Sequence, residues 1–247
     1  MRQVLPEGLT KSADHEGGTS SPILLIAGFG DNVSMYAPLF ATPLAQTHSL
    51  IALDLPGFGA PALEGTTSLS SLAIWLADMA SDFGAHTVVA HSVASIAAER
   101  PGSPISRIIS LEGNLTAEDA YFSGTAADFE TPEAFRDAFL ERLTEMVKTE
   151  PVIARYREAV SKADPLALWQ LGTDARAFSE RQVPGEILAR SAHVTYIYNP
   201  ENCPEASLRW LAENPMECVV LDQASHWSSV DQPGLLAEQI AVALASE

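Results

Sequence analysis

The stretch Val88-Val89-Ala90-His91-Ser92-Val93-Ala94-Ser95-Ile96-Ala97-Ala98-Glu99 decides how the rest of the chain is read. An apolar β-type run stops at a serine and restarts as helix. A serine at a sharp strand-to-helix turn is carried out of the sheet edge as a nucleophile, with helix N-terminal amides beside it to hold an oxyanion. Such a turn strains its central residue and brings strand and helix backbones close together, so its neighbours must be small. Ala90 and Ala94 fill the flanking positions where the usual pattern has glycine, each adding one methyl and no polar atom. Alone, the string carries two readings, because a serine after a strand also caps a helix by bonding its free amides. The rest of the chain separates them.

The 247 residues, 47% of them hydrophobic, are enough to bury one large core. Fourteen basic against 32 acidic residues leave a formal charge of −18. That excess opposes nucleic acid and anionic membrane surfaces, and its expected role is a solvated acidic surface. Cys203 and Cys218 lack metal-site spacing and read as structural thiols, so neither a metal nor a cofactor is expected. The opening Met1-Arg2-Gln3-Val4-Leu5-Pro6-Glu7 has no long apolar segment, nor does any later stretch reach bilayer length. The expectation is a cytoplasmic monomer or homodimer acting on a small-molecule substrate.

Strand-like runs recur at Ile23–Ala27, Leu50–Leu53, Thr87–Ala90, Ile105–Leu111, Val194–Tyr198 and Cys218–Leu221. Helix-like segments lie between most of them: Met35–Ala45, Leu69–Asp82, Val93–Glu99, Glu205–Glu213 and Pro233–Ser246. This alternation predicts an α/β fold, a mainly parallel sheet flanked by helices on both faces. From about Leu115 to Arg190 the strand signal vanishes, and amphipathic helices are predicted at Pro132–Lys148 and Val152–Lys162. The reading is therefore a core of residues 1–114 and 191–247, with residues 115–190 inserted as a helical cap over the strand ends. Phe135, Phe139, Leu140, Leu143, Met146, Leu168 and Trp169 could roof a pocket or simply pack the cap together.

Three more segments bear on Ser92. In Ile26-Ala27-Gly28-Phe29-Gly30-Asp31 a strand runs into a glycine-rich turn, where the Phe29 amide could join that of Val93 as an oxyanion hole. Asp54-Leu55-Pro56-Gly57-Phe58-Gly59 ends the next strand and reads as a structural rim. In Leu221-Asp222-Gln223-Ala224-Ser225-His226-Trp227 a late strand is followed by a loop histidine, placed to act as general base. Of six histidines only His226 stands after the last strand; His15, His48, His86 and His193 read as loop or strand-start residues. His91 is expected to point away from the site, since neighbours in extended chain face opposite ways.

Gly28-Phe29-Gly30, Asp54 to Gly59, Ala90-His91-Ser92-Val93-Ala94 and Ser225-His226-Trp227 together resemble the α/β-hydrolase fold superfamily, in its order and approximate spacing. The resemblance covers nearly the whole chain. It implies a serine, acid, histidine triad in that order, an oxyanion hole from the Phe29 and Val93 amides, and a helical cap inserted after the sixth strand. Ala27 departs from the family pattern, in which a histidine precedes that glycine. The stretch before Ile23 is also short for the family's opening strands.

The family's usual acid follows the strand ending here at Tyr198, where this chain has Asn202 in Tyr198-Asn199-Pro200-Glu201-Asn202-Cys203-Pro204. An amide cannot carry the charge that fixes the histidine tautomer and stabilises the imidazolium. Glu112, closing Ile108-Ile109-Ser110-Leu111-Glu112, stands at the end of the strand after the one bearing Ser92. Adjacent strands are about 4.8 Å apart, so one histidine can bridge the two side chains. Glu112 is the expected acid, with Glu201 and Asp119 as the other carboxylates considered. Some members of the superfamily, haloalkane dehalogenases among them, resemble this arrangement.

A serine nucleophile suits acyl transfer, whereas displacement at carbon by this fold needs an aspartate. The expected reaction is cleavage of an ester or lactone through an acyl-enzyme, on a small to medium, largely apolar substrate held by Phe29, Phe135, Phe139, Trp169 and Trp227. Lyase, carbon-carbon hydrolase and cofactor-free dioxygenase chemistry share the architecture and stay open, as does a non-enzymatic small-molecule receptor.

Overall fold

Strands buried on both faces need apolar residues at every position, and the chain supplies them. Ile23–Ile26 and Leu50–Leu53 are buried throughout, and four of the five residues of Thr87–His91 and of Arg107–Leu111 are buried. The computed structural model describes residues 9–11, 21–98, 102–190 and 193–245. Its seven strands are β1 (Leu9–Lys11), β2 (Ile23–Ile26), β3 (Leu50–Leu53), β4 (Thr87–His91), β5 (Arg107–Leu111), β6 (His193–Tyr198) and β7 (Glu217–Val220). They form one sheet in the order β1-β3-β2-β4-β5-β6-β7, parallel except for β1, which pairs antiparallel with β3. The chain leaves β2 for β3 on one side and returns to β4 on the other. The crevice between the carboxyl ends of β2 and β4 is thus a topological switch point, the place where ligands bind in open α/β sheets.

Helices α1 (Leu69–Phe83) and α2 (Ala94–Ala98) pack together beside the sheet, and α6 (Glu205–Glu213) and α7 (Pro233–Ala245) follow β6 and β7. Local chemistry sets the ends of α1. Ser68 caps it in a capping box with Ser71, and Gly84 closes it at φ 62°, a left-handed conformation that suits glycine. The helix expected over Met35–Ala45 is instead three short turns at Val33–Tyr36, Leu39–Ala41 and Leu44–Thr47. Pro38 and Pro43 explain the break, because each lacks an amide and clashes with the preceding turn.

Residues 115–190 contain no strand. Turns at Ala117–Tyr121 and Ser123–Asp128 lead into α3 (Pro132–Met146), α4 (Ile153–Lys162) and α5 (Pro165–Arg181). This helical segment, placed by the family resemblance after a sixth strand, follows β5 in the present count. Phe135, Phe139 and Leu143 recur at four-residue spacing and bury one face of α3, which packs on α4 and α5. His15, the opening Met1 to Glu7 and the expected helix ends at Glu99 and Ser246 lie outside the described residues.

Candidate active site

Parallel register carries two site residues out of the sheet side by side. His91 pairs with Leu111 and Leu111 with Ile197, so Ser92 and Glu112 are the first residues beyond adjacent strands. Both turn sharply: Ser92 has φ 54° and Glu112 φ 43°. Left-handed backbone at a residue with a side chain costs about 1–3 kcal/mol and persists only when its surroundings enforce it. Here the Ser92 amide donates to Leu111 O (2.9 Å) and the Glu112 amide to Ile197 O (2.9 Å).

The loop after β7 brings His226 to the same point. Its Nδ1 lies 2.6 Å from Glu112 Oε2, with both side chains largely buried. Glu112 Oε1 accepts from the Asn199 amide (3.0 Å) and from Asn202 Nδ2 (2.8 Å). Asn199 Nδ2 and Asn202 Nδ2 also donate to Ala224 O at 2.8 and 3.1 Å, which fixes the histidine loop two residues before His226. Asn202, standing where the family resemblance expects an acid, therefore holds the carboxylate supplied by Glu112. Glu201 is exposed and lines no part of the cavity. Asp119 reaches the cavity wall, but its carboxylate accepts from the Leu115 and Thr116 amides (2.8 Å each) and from Ser207 Oγ (2.6 Å), not from His226.

His91 does not point away from the site. It lines the cavity with Ser92, its ring centroid is 4.5 Å from that of His226, and its Nε2 is 2.8 Å from His226 O. Side chains alternate only while the chain stays extended, and the left-handed turn at Ser92 ends that alternation. A carbonyl only accepts, so His91 Nε2 carries the proton and donates. Burial, then the neighbouring His226, pushes its pKa well down and keeps the ring neutral. Its Nδ1 is buried without a partner and faces Gly28, where an added Cβ would lie 2.8 Å away. That close approach is why the turn beside Ser92 begins with glycine.

The cavity measures ≈ 30 Å³, room for about two waters. Ser92, Glu112 and His226 all line it, and no hydrogen bond joins Ser92 Oγ to His226 among the described residues. Phe29 and Trp227 form part of its wall. Phe135, Phe139 and Trp169 do not reach it. The first two stack at 5.4 Å and sit behind Phe29, almost fully buried, and Trp169 Nε1 donates to Phe129 O. Neither the Phe29 nor the Val93 amide is committed to another acceptor among the described residues.

Several wall residues carried no sequence signal. Asp31, fully buried, takes a two-pronged hydrogen bond from Arg155 of α4 (2.7 Å each) and a third bond from Trp227 Nε1 (3.1 Å). Tyr156 Oη donates to Phe29 O (2.8 Å), and burial pushes its pKa well up. Tyr121 is raised too, by burial and the Glu112 and Asp119 charges, so both phenols keep their protons. The Cys203 thiol also faces the cavity; burial, then Glu112, pushes its pKa up to about 12, which removes it as a rival nucleophile. Asn202 did leave a trace in the sequence: an amide where an acid is expected is a hydrogen-bond donor seeking a carboxylate.

Known proteins share this fold. An esterase from Thermogutta terrifontis, solved with malate bound, superposes with a TM-score of 0.73 at 18% identity, over 97% of this chain and 93% of that one. The enol-lactonase from Burkholderia xenovorans LB400 gives 0.69 at 19% identity, over 97% of each chain. At such identities the likeness is one of fold. A curated relative, the dihydrolipoyllysine-residue acetyltransferase component of an acetoin cleaving system in Cupriavidus necator, is 32% identical over 141 residues. That match takes in 53% of this chain and only 36% of the relative's length. The model of the alpha/beta hydrolase family matches residues 23–239. It runs from the first parallel strand to the last helix and encloses the turn at Ser92, the carboxylate after β5 and the histidine loop, and on that match the chain belongs to the alpha/beta hydrolase family.

Proposed function

We propose that the protein is a hydrolase that cleaves a carboxylic ester or lactone of small to medium, largely apolar character through an acyl-enzyme on Ser92. The observation that carries this reading is the 2.6 Å contact of His226 Nδ1 with Glu112 Oε2, in the same cavity as a serine held at φ 54°. A carboxylate at Nδ1 keeps the proton on that nitrogen and leaves Nε2 bare to act as base.

In the proposed reaction His226 Nε2 takes the Ser92 Oγ proton as the oxygen attacks the carbonyl carbon. Negative charge moves to the carbonyl oxygen, where the uncommitted Phe29 and Val93 amides donate to it. Collapse of this intermediate expels the alcohol oxygen, which takes the proton from His226, and leaves the acyl group on Ser92. A water, deprotonated by the same nitrogen, then releases the acid. His91 holds His226 through its main-chain carbonyl and is a positioning residue. The helical segment 115–190 acts as a cap, and the rim of a cavity of ≈ 30 Å³ must yield to admit substrate.

Labelling with a fluorophosphonate and turnover of 4-nitrophenyl butyrate test the reading together. Wild type is expected to label and turn over, and Ser92→Ala to do neither. Glu112→Gln should lower kcat by about 10³–10⁴-fold, because the amide no longer selects the histidine tautomer. Glu201→Ala should stay within about twofold, as for surface changes remote from the reacting groups. Full activity in Glu112→Gln with loss in Glu201→Ala would overturn the acid assignment, and turnover by Ser92→Ala the nucleophile.

A further inference from the structure

The cavity wall has a one-sided charge. Fifteen residues line it; three are carboxylates, Asp31, Glu112 and Asp119, and none is lysine or arginine. Two arginines pack behind the wall without lining the cavity. Arg155 spends both terminal nitrogens on Asp31 and so offsets part of that charge. Arg142 donates to Tyr121 O and lies 4.8 Å over the ring of Phe122. Glu112 is matched by His226 when that ring becomes charged. Asp119 is bonded wholly by uncharged donors, two backbone amides and the Ser207 and Thr116 hydroxyls, and faces no cation within ion-pair distance among the described residues.

Between these carboxylates the wall is aromatic, with Phe29, Phe122, Tyr156 and Trp227. Such walls exclude water and leave charges poorly screened. A substrate bearing a carboxylate would need a guanidinium or ammonium to receive it, and would meet Asp119 and Glu112 instead. We propose, resting on the acyl-transfer reading above, that the site accepts acyl groups without negative charge and rejects those carrying a carboxylate. Asp119 is the residue that sets this selection.

Two esters of equal length isolate the charge: 4-nitrophenyl 6-oxoheptanoate, ending in a methyl ketone, and mono-4-nitrophenyl adipate, ending in a carboxylate too distant to attack its own ester readily. At about 20 mM salt, kcat/KM for the neutral ester is expected to exceed that for the anion by about 100-fold, the scale of an uncompensated like-charge contact. The ratio should fall at least about fivefold in Asp119→Asn. A ratio near one, or one favouring the anion, overturns the proposal; an unchanged ratio in folded Asp119→Asn overturns the role of Asp119. Should Asp119→Asn not fold, Asp119→Ser takes its place, and an unchanged ratio there overturns the role of Asp119. Calorimetric titration of Ser92→Ala with ethyl levulinate and monoethyl succinate separates this from the chemistry. If wild type turns over neither nitrophenyl ester, the acyl-transfer reading falls, and the charge selection stands only if ethyl levulinate binds and monoethyl succinate does not. Equal binding, or binding of neither, overturns it.

Discussion

Asp54 shows how much one buried carboxylate costs. It ends β3, is 6% exposed, and accepts the Val33 amide at 2.5 Å. Burial outweighs that hydrogen bond and, with Asp31 nearby, raises its pKa from 3.8 to about 6. Between these values the folded chain keeps a proton that the unfolded chain has lost. The stability contributed by neutral Asp54 is therefore complete below about pH 4 and is lost as pH rises through about 6. An asparagine in its place would keep an acceptor for Val33 without the charge. Asp54→Asn is thus expected to match the native chain at pH 4 and exceed it by about 1–2 kcal/mol at pH 7 in urea unfolding, after allowance for solvent screening. Legibility at this scale follows local chemistry. Ser92, Glu112 and His226 could be read because each follows a strand end, and strand ends show in an apolar run. His91 was misplaced because alternation assumes extended chain, and no sequence rule announced a left-handed turn one residue later. Asp31 and Arg155 are 124 residues apart, a separation across which no local pattern operates.

Among elements, α4 is tied to the core by charge. The Asp31 and Arg155 side chains are 1% and 21% exposed, so removing one strands the other in a poorly solvated place. Arg155→Ala is expected to cost about 3–5 kcal/mol in chemical denaturation, and Asp31→Asn/Arg155→Met to recover most of it. A loss equal to that of an exposed pair, below about 1 kcal/mol, would show that the pair does not anchor the helix. Helices α3 and α4 were visible in the sequence because Phe135, Phe139 and Leu143, like Tyr156 and Val160, repeat at helical spacing. The same spacing over Met35–Ala45 misled, since Pro38 and Pro43 outweigh it. What periodicity left undecided was which apolar faces meet substrate. Phe135 and Phe139 satisfy each other and Phe29, and that is a property of packing.

For the whole molecule the dominant number is the charge of −18. Like charges over a compact surface repel, and salt relieves the repulsion within a Debye length of about 10 Å at 0.1 M. The melting temperature is expected to rise by about 2–4 °C between about 10 mM and 1 M sodium chloride, on the scale of about 1 kcal/mol for a domain this size. A melting temperature that falls with salt would mean attractive surface pairs outweigh the net charge. Alternation of strands and helices made the sheet legible, but its short antiparallel edge, β1, fell in a stretch with no strong apolar run. Asp31 holds a last consequence at this scale. One carboxylate receives Arg155 from the helical insertion and the Trp227 indole from the loop that carries the histidine. Displacing α4 changes the partner of Trp227, and seating Trp227 favours a docked α4. The two events share one coupling free energy, so by reciprocity a docked α4 favours a seated Trp227 by the same factor as a seated Trp227 favours a docked α4.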